Sequence, residues 1–191
     1  MELNESCCIL GGFIGVLWIL EIVDTLLLRG WLNQFGIWPR RWMGLRGILF
    51  APLLHGNLRH LSANTVPLAV LGWLILVRWS PTGLRPSHQT FVAVTAGVWL
   101  MSGLGVWLFA PRKSNHIGAS GLVFGYLGFL LSRGYFEQSP VAIATATLVG
   151  LLYGSTLWGI LPYHRGVSWQ SHLFGFIAGI FCAYSLLQFQ P

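Results

Sequence analysis

Ser120 is the residue of this chain best placed for nucleophilic chemistry, and His172 the one best placed to activate it. A serine hydroxyl is a weak nucleophile until a base takes its proton. Ser120 lies in Gly118-Ala119-Ser120-Gly121, where small neighbours leave the hydroxyl reachable. If that tetrapeptide opens a helix, free backbone N–H groups lie beside the hydroxyl and can hold a developing negative charge, as an oxyanion hole requires. His60 and Asn64 are four residues apart, so they share one helix face, and both side chains can donate hydrogen bonds. Set opposite Ser120, they would complete such a hole. His55 stands five residues before His60, in the turn that enters the same helix. The five acids are Glu2, Glu5, Glu21, Asp24 and Glu137, and none adjoins His172, so the simplest pairing is a Ser-His dyad.

Plainer readings stand beside these. Gly-Ala-Ser-Gly is also a close-packing motif, and His60 with Asn64 could be an interhelical polar clamp. His172 could hold a headgroup, a metal or a proton. A metal set of His55, His60 and His172 has poor spacing on one helix and no cysteine or carboxylate to join it, so neither metal nor cofactor is expected. Glu21 and Asp24, three residues apart, read as an end-of-helix pair or a partner for Arg29, with a proton relay as the functional alternative. His116 and His164 read as loop residues without a role.

The elements that must position these groups are apolar. The chain has 191 residues, of which 54% are hydrophobic and 8% charged. Its mean hydropathy is +0.66. Soluble domains carry about 25% charged residues, so a water-soluble globule is excluded, and the many aromatic residues exclude disorder. What remains is an all-α, polytopic membrane protein. The net charge is +6, yet no basic run is longer than two residues, which excludes a nucleic-acid groove. Cys7, Cys8 and Cys182 make neither a disulfide framework nor a metal motif.

Six apolar segments span about 7–28, 58–77, 90–110, 118–131, 141–161 and 169–187, forming one membrane domain over 1–191. The fourth is short and glycine-rich. With six spans, the second, fourth and sixth run the same way, so their N-terminal ends share one membrane face. The polar clusters lie at those three ends: His55, His60 and Asn64; Gly118, Ser120 and Gly121; Gln170, Ser171 and His172. Polar groups in hydrocarbon are costly unless paired or functional, so their convergence points to a site.

At these residues the chain resembles the rhomboid family of intramembrane serine proteases. Three motifs carry the resemblance, in order. The first is His55-Gly-Asn-Leu-Arg-His60-Leu-Ser-Ala-Asn64. The second is Gly118-Ala119-Ser120-Gly121. The third is His172-Leu-Phe-Gly175-Phe-Ile-Ala-Gly179. The likeness covers about residues 45–190 and implies a six-transmembrane-helix bundle. It implies Ser120 as nucleophile and His172 as general base and acid. It implies an oxyanion hole from His60, Asn64 and the N–H groups of Ala119 and Ser120, with His55 in support. Gly175 and Gly179 would pack against Gly121 and Gly125. Where many members have a tyrosine four residues after the serine, this chain has Phe124, which keeps the ring. Where many carry Trp-Arg in the first loop, it reads Gly44-Leu45-Arg46-Gly47.

The implied partners are the lipid bilayer and transmembrane protein substrates. The implied orientation puts the active face away from the cytoplasm, in the cell membrane. Counting Lys and Arg under that orientation gives three inside (Arg78, Arg85, Arg133) and eight outside, whereas the positive-inside rule favours the reverse. The rival class is a non-catalytic membrane chaperone or a small transporter. A transporter predicts inverted repeats, and none is visible in the sequence.

Overall fold

The computed structural model describes residues 3–77, 87–163 and 167–188. Arg78 and Arg85, counted above on the inner side, and His164, read above as a loop residue, lie outside the described residues. The helices are α1 (Leu3–Val23), α2 (Trp42–Leu45), α3 (Gly47–Phe50), α4 (Leu58–Leu76), α5 (Ser87–Phe109), α6 (Ser120–Glu137), α7 (Pro140–Tyr153) and α8 (Trp169–Gln188). Tighter or wider helical turns cover Asp24–Leu28, Trp31–Phe35, Ala51–Leu53 and Gly154–Ile160. Among the described residues the one extended pairing is a single antiparallel bridge between Ile37 and His116.

Three stretches are long and apolar enough to cross a membrane: Glu5–Leu28, His88–Phe109 and Pro140–Ile160. They belong to α1, α5 and α7. The helices that carry the polar clusters are α4, α6 and α8. Of these, α6 is buried from Gly121 to Leu130 without interruption. A helix apolar on every side belongs inside a bundle, and small residues let its neighbours approach.

The closest approach is between α6 and α8. A Cβ at Gly175 would lie 2.2 Å from the Gly121 carbonyl oxygen, and one at Gly179 would lie 2.0 Å from that of Gly125. The two backbones therefore touch, one turn apart, and any side chain there would push the helices apart. Gly121 follows Ser120 directly, and His172 lies one turn before Gly175, so this contact brings the two heads together.

Caps set several helix starts. The Asn57 side chain accepts the His60 N–H at 2.8 Å and opens α4. Ser139 accepts the Ala142 N–H at 3.1 Å and opens α7, with Pro140 at its first position. The α6 helix runs to Glu137, six residues past the end expected at 131, because nothing breaks it before Gln138 turns left-handed. An Arg133–Glu137 ion pair spans its last turn. The α1 helix widens at Asp24, whose carboxylate takes the Leu32 N–H at 2.8 Å. Arg29 and Gly30 then reverse the chain with φ of 55° and 82°.

Of the structural alternatives for Glu21 and Asp24, the partnership with Arg29 is not formed. Both acids are buried, and Arg133–Glu137 is the one ion pair among the described residues. Glu21 instead accepts the Thr25 hydroxyl at 3.0 Å. The chain between α1 and α4 docks on the end of α5. Arg40 donates to the carbonyls of Leu108 at 2.7 Å and Ala110 at 2.8 Å, capping that helix. Arg46 stacks on Phe35 and Arg41 on Trp38.

Candidate active site

A cavity of about 850 Å³ opens between the heads of α4, α6 and α8. Its walls include His60, Asn64, Ser120, Phe124, Gln170 and His172. The three clusters that are far apart in sequence thus face one space.

Ser120 is the first residue of α6 and is partly exposed to this cavity. Its helix has no side-chain cap. The Leu122 and Val123 amides turn back to the Ala119 carbonyl, at 2.9 and 3.1 Å. The Ser120 and Gly121 amides have no partner among the described residues. The head of α6 is therefore an unfilled anion-binding end beside a hydroxyl.

His172 is buried and held on two sides. Its Nδ1 lies 2.9 Å from the Gly159 carbonyl oxygen. A carbonyl only accepts, so Nδ1 carries the proton and Nε2 keeps its lone pair. Phe124 stacks on the ring, with centroids 4.1 Å apart and planes 8° from parallel. Gly159 packs at the shared edge of the two rings, where a Cβ would lie 3.0 Å from Phe124 Cζ and 3.3 Å from His172 Nδ1. Ser120 and His172 share the cavity but make no hydrogen bond in this resting arrangement. Such bonds are commonly long before substrate binds.

The donors gather around Gly118. This residue has a φ of 116°, and a Cβ on it would lie 2.7 Å from His60 Cε1. Its site is 3.7 Å from Asn64 Nδ2, a buried donor without a partner among the described residues. With no protein acceptor, this N–H₂ group is available to donate into the cavity that Asn64 lines. His55 is almost wholly buried and packs edge-on against His60, with ring centroids 5.1 Å apart. Burial, and then the neighbouring His60, push the His55 pKa down to about 3, so its ring is neutral at pH 7. Its Nε2 accepts the Ala119 N–H at 3.3 Å. The Ala119 amide, one of the expected donors, is thus bonded to His55 in this arrangement.

Two contributors were missed by sequence reasoning. Gly159 supplies a backbone carbonyl, which no side chain announces. His116, read as a loop residue, is only 6% exposed and bonds to residues on two other segments. Its burial among serines left no local signal.

The comparisons with known proteins agree with this architecture. The family described as Rhomboid domain matches residues 41–189, so the chain belongs to the rhomboid family. It is 43% identical over 182 residues to the Mycobacterium tuberculosis protein Rv1337, covering 91% of this chain and 72% of that one. It is 42% identical over 182 residues to the Mycobacterium leprae protein ML1171, covering 91% of this chain and 68% of that one. It is 31% identical over 145 residues to RHOMBOID-like protein 5 of Arabidopsis thaliana, covering 70% of this chain and 41% of that one. The helical fold, its apolar spans and the family together make it a multi-pass integral membrane protein.

Proposed function

We propose that this protein is an intramembrane serine endopeptidase that cleaves peptide bonds in or near the transmembrane helices of other membrane proteins. One observation carries the reading. His172 Nδ1 is committed to the Gly159 carbonyl, which leaves Nε2 basic in the same cavity as Ser120. In this reading α1, α4, α5, α6, α7 and α8 are six spans of one membrane domain over 1–191.

The chemistry follows from the roles. His172 Nε2 takes the Ser120 proton as the hydroxyl oxygen attacks the scissile carbonyl. The oxyanion is held by the Ser120 amide, Asn64 Nδ2 and His60. The imidazolium returns its proton to the leaving amine, giving an acyl-enzyme. Water, activated by the same nitrogen, then releases the acid and restores Ser120. A helical substrate shields its peptide bonds, so it must unwind, which favours small and helix-breaking residues near the cleaved bond. The cavity, walled in part by His60, Asn64, Gln170 and His172, admits the water that hydrolysis needs.

The test is fluorophosphonate labelling of the purified, detergent-solubilised protein beside cleavage of a model transmembrane substrate. Both signals are expected in the wild type and in neither Ser120→Ala nor His172→Ala. Equal behaviour of all three proteins would remove the protease reading and move the same polar cluster to a binding or chaperone role. We further propose that the active face lies outside the cytoplasm. A cysteine placed at exposed Arg112, with Cys7, Cys8 and Cys182 replaced, should react with an impermeant maleimide added to intact cells. Reaction only after the membrane is opened would reverse the orientation.

A further inference from the structure

We propose that His116 is a positioning residue that ties the loop delivering Ser120 to the head of the helix carrying His172. The proposal rests on the dyad reading above and names a residue outside it.

The hydrogen count fixes the state of the ring. Ser114 Oγ lies 2.6 Å from the Pro111 carbonyl oxygen, which can only accept, so the Ser114 proton points there. The same Oγ lies 2.7 Å from His116 Nε2, so Nε2 carries the proton and donates. His116 Nδ1 is then a bare lone pair. It lies 2.5 Å from Ser168 Oγ, whose proton it must accept. Ser168 Oγ in turn accepts the Ser171 N–H at 3.3 Å, and the Ser168 carbonyl accepts the His172 N–H at 3.2 Å. Every hydrogen in this chain of bonds has one place to go.

The backbone of His116 is pinned as well. Its N–H and C=O both pair with Ile37, at 3.1 and 2.9 Å, in the segment between α1 and α4. One residue therefore joins three parts of the chain. Ser120 lies four residues beyond His116, and His172 lies four residues beyond Ser168. The glycine contacts between α6 and α8 set how near the two helices come. The His116–Ser168 bond sets where the loop before one and the first turn of the other stand. A misplacement of about 1 Å between reacting groups can cost ~10²-fold in rate.

Three substitutions separate the roles. His116→Phe keeps the ring volume and loses both bonds. His116→Asn sets an amide where Nδ1 was and keeps the tie to Ser168. His116→Gln reaches toward Ser114 instead. For Phe and Gln we expect fluorophosphonate labelling and kcat at least about tenfold below wild type, with KM within about twofold. For Asn both are expected within about threefold of wild type. Hydrogen exchange of the amides of residues 169–173 should quicken in Phe and Gln and not in Asn, whether or not the protein is an enzyme. Wild-type rates and exchange in Phe, or Asn as slow as Gln, would overturn the proposal. If Phe does not fold, the Asn–Gln pair decides. A wild-type protein that never labels sinks the dyad reading, and the exchange pattern alone then decides the tie.

Discussion

Phe124 lies flat on His172, with ring centroids 4.1 Å apart and planes 8° from parallel. The contact fixes the plane of the imidazole while the Gly159 carbonyl fixes its tautomer. Neither partner is charged. The histidine is thus oriented without a carboxylate, as the proposed dyad requires.

From this, Phe124→Leu should lower kcat by about tenfold with little change in KM, because the ring of His172 gains a rotation it now lacks. Phe124→Tyr should retain at least half the wild-type rate, since the stack survives. Steady-state cleavage of a model transmembrane substrate measures both. A Leu variant as fast as wild type would show that the Gly159 bond suffices.

Asn64→Ala removes a donor that has no other work in the resting structure. Loss of one oxyanion donor typically costs ~10²–10³ in kcat. The same variant should fold about as stably as the wild type, because Asn64 Nδ2 makes no hydrogen bond to the protein among the described residues. Reduced kcat with unchanged Tm is the expected pair of readings. A large drop in Tm would mean that Asn64 is a structural clamp instead.

Gly118→Ala meets two obstacles at once. The φ of 116° is one that L side chains rarely adopt, and the new methyl would sit 2.7 Å from His60 Cε1. Relief requires His60 to move, so both the oxyanion wall and the fold should suffer. We expect a clear fall in Tm and no measurable cleavage. Normal activity in this variant would mean that His60 is free to shift and is not part of the site.

Acid should destabilise the protein through His116. Burial holds its pKa down at about 4, against an ordinary value of 6.5. The unfolded chain therefore binds the proton first as pH falls. The contribution is fully present above about pH 6.5 and is lost as pH drops toward 4. Tm in detergent should fall between pH 7 and pH 4.5, and fall less steeply in His116→Phe, which removes the titrating ring. An equal slope in both proteins would assign the acid sensitivity elsewhere.

Much of this molecule was legible in the sequence, because membrane helices and glycine contacts leave local marks. The starts of α4 and α8 fell at Leu58 and Trp169, where the apolar segments begin. His60, Asn64, Ser120 and His172 could be picked out as polar groups at the heads of alternate spans, and they line one cavity. Only the tertiary structure decided how each is held. The carbonyl of Gly159 chooses the His172 tautomer, and a backbone group has no residue type to betray it. The Ala119 amide went to His55, a choice made by the fit of a buried ring 64 residues away in sequence. Arg40, Arg41 and Arg46 add to the charge count that opposes the family's orientation. In the fold Arg40 caps α5, while Arg41 and Arg46 stack on aromatic rings. His116 shows the limit most clearly. A histidine in a polar loop reads as solvent-facing until the chain folds, and its burial depends on Ile37 and Ser168 arriving from two separate stretches. Hydropathy and spacing are properties of neighbours along the chain, whereas burial and hydrogen-bond partnership belong to neighbours in space.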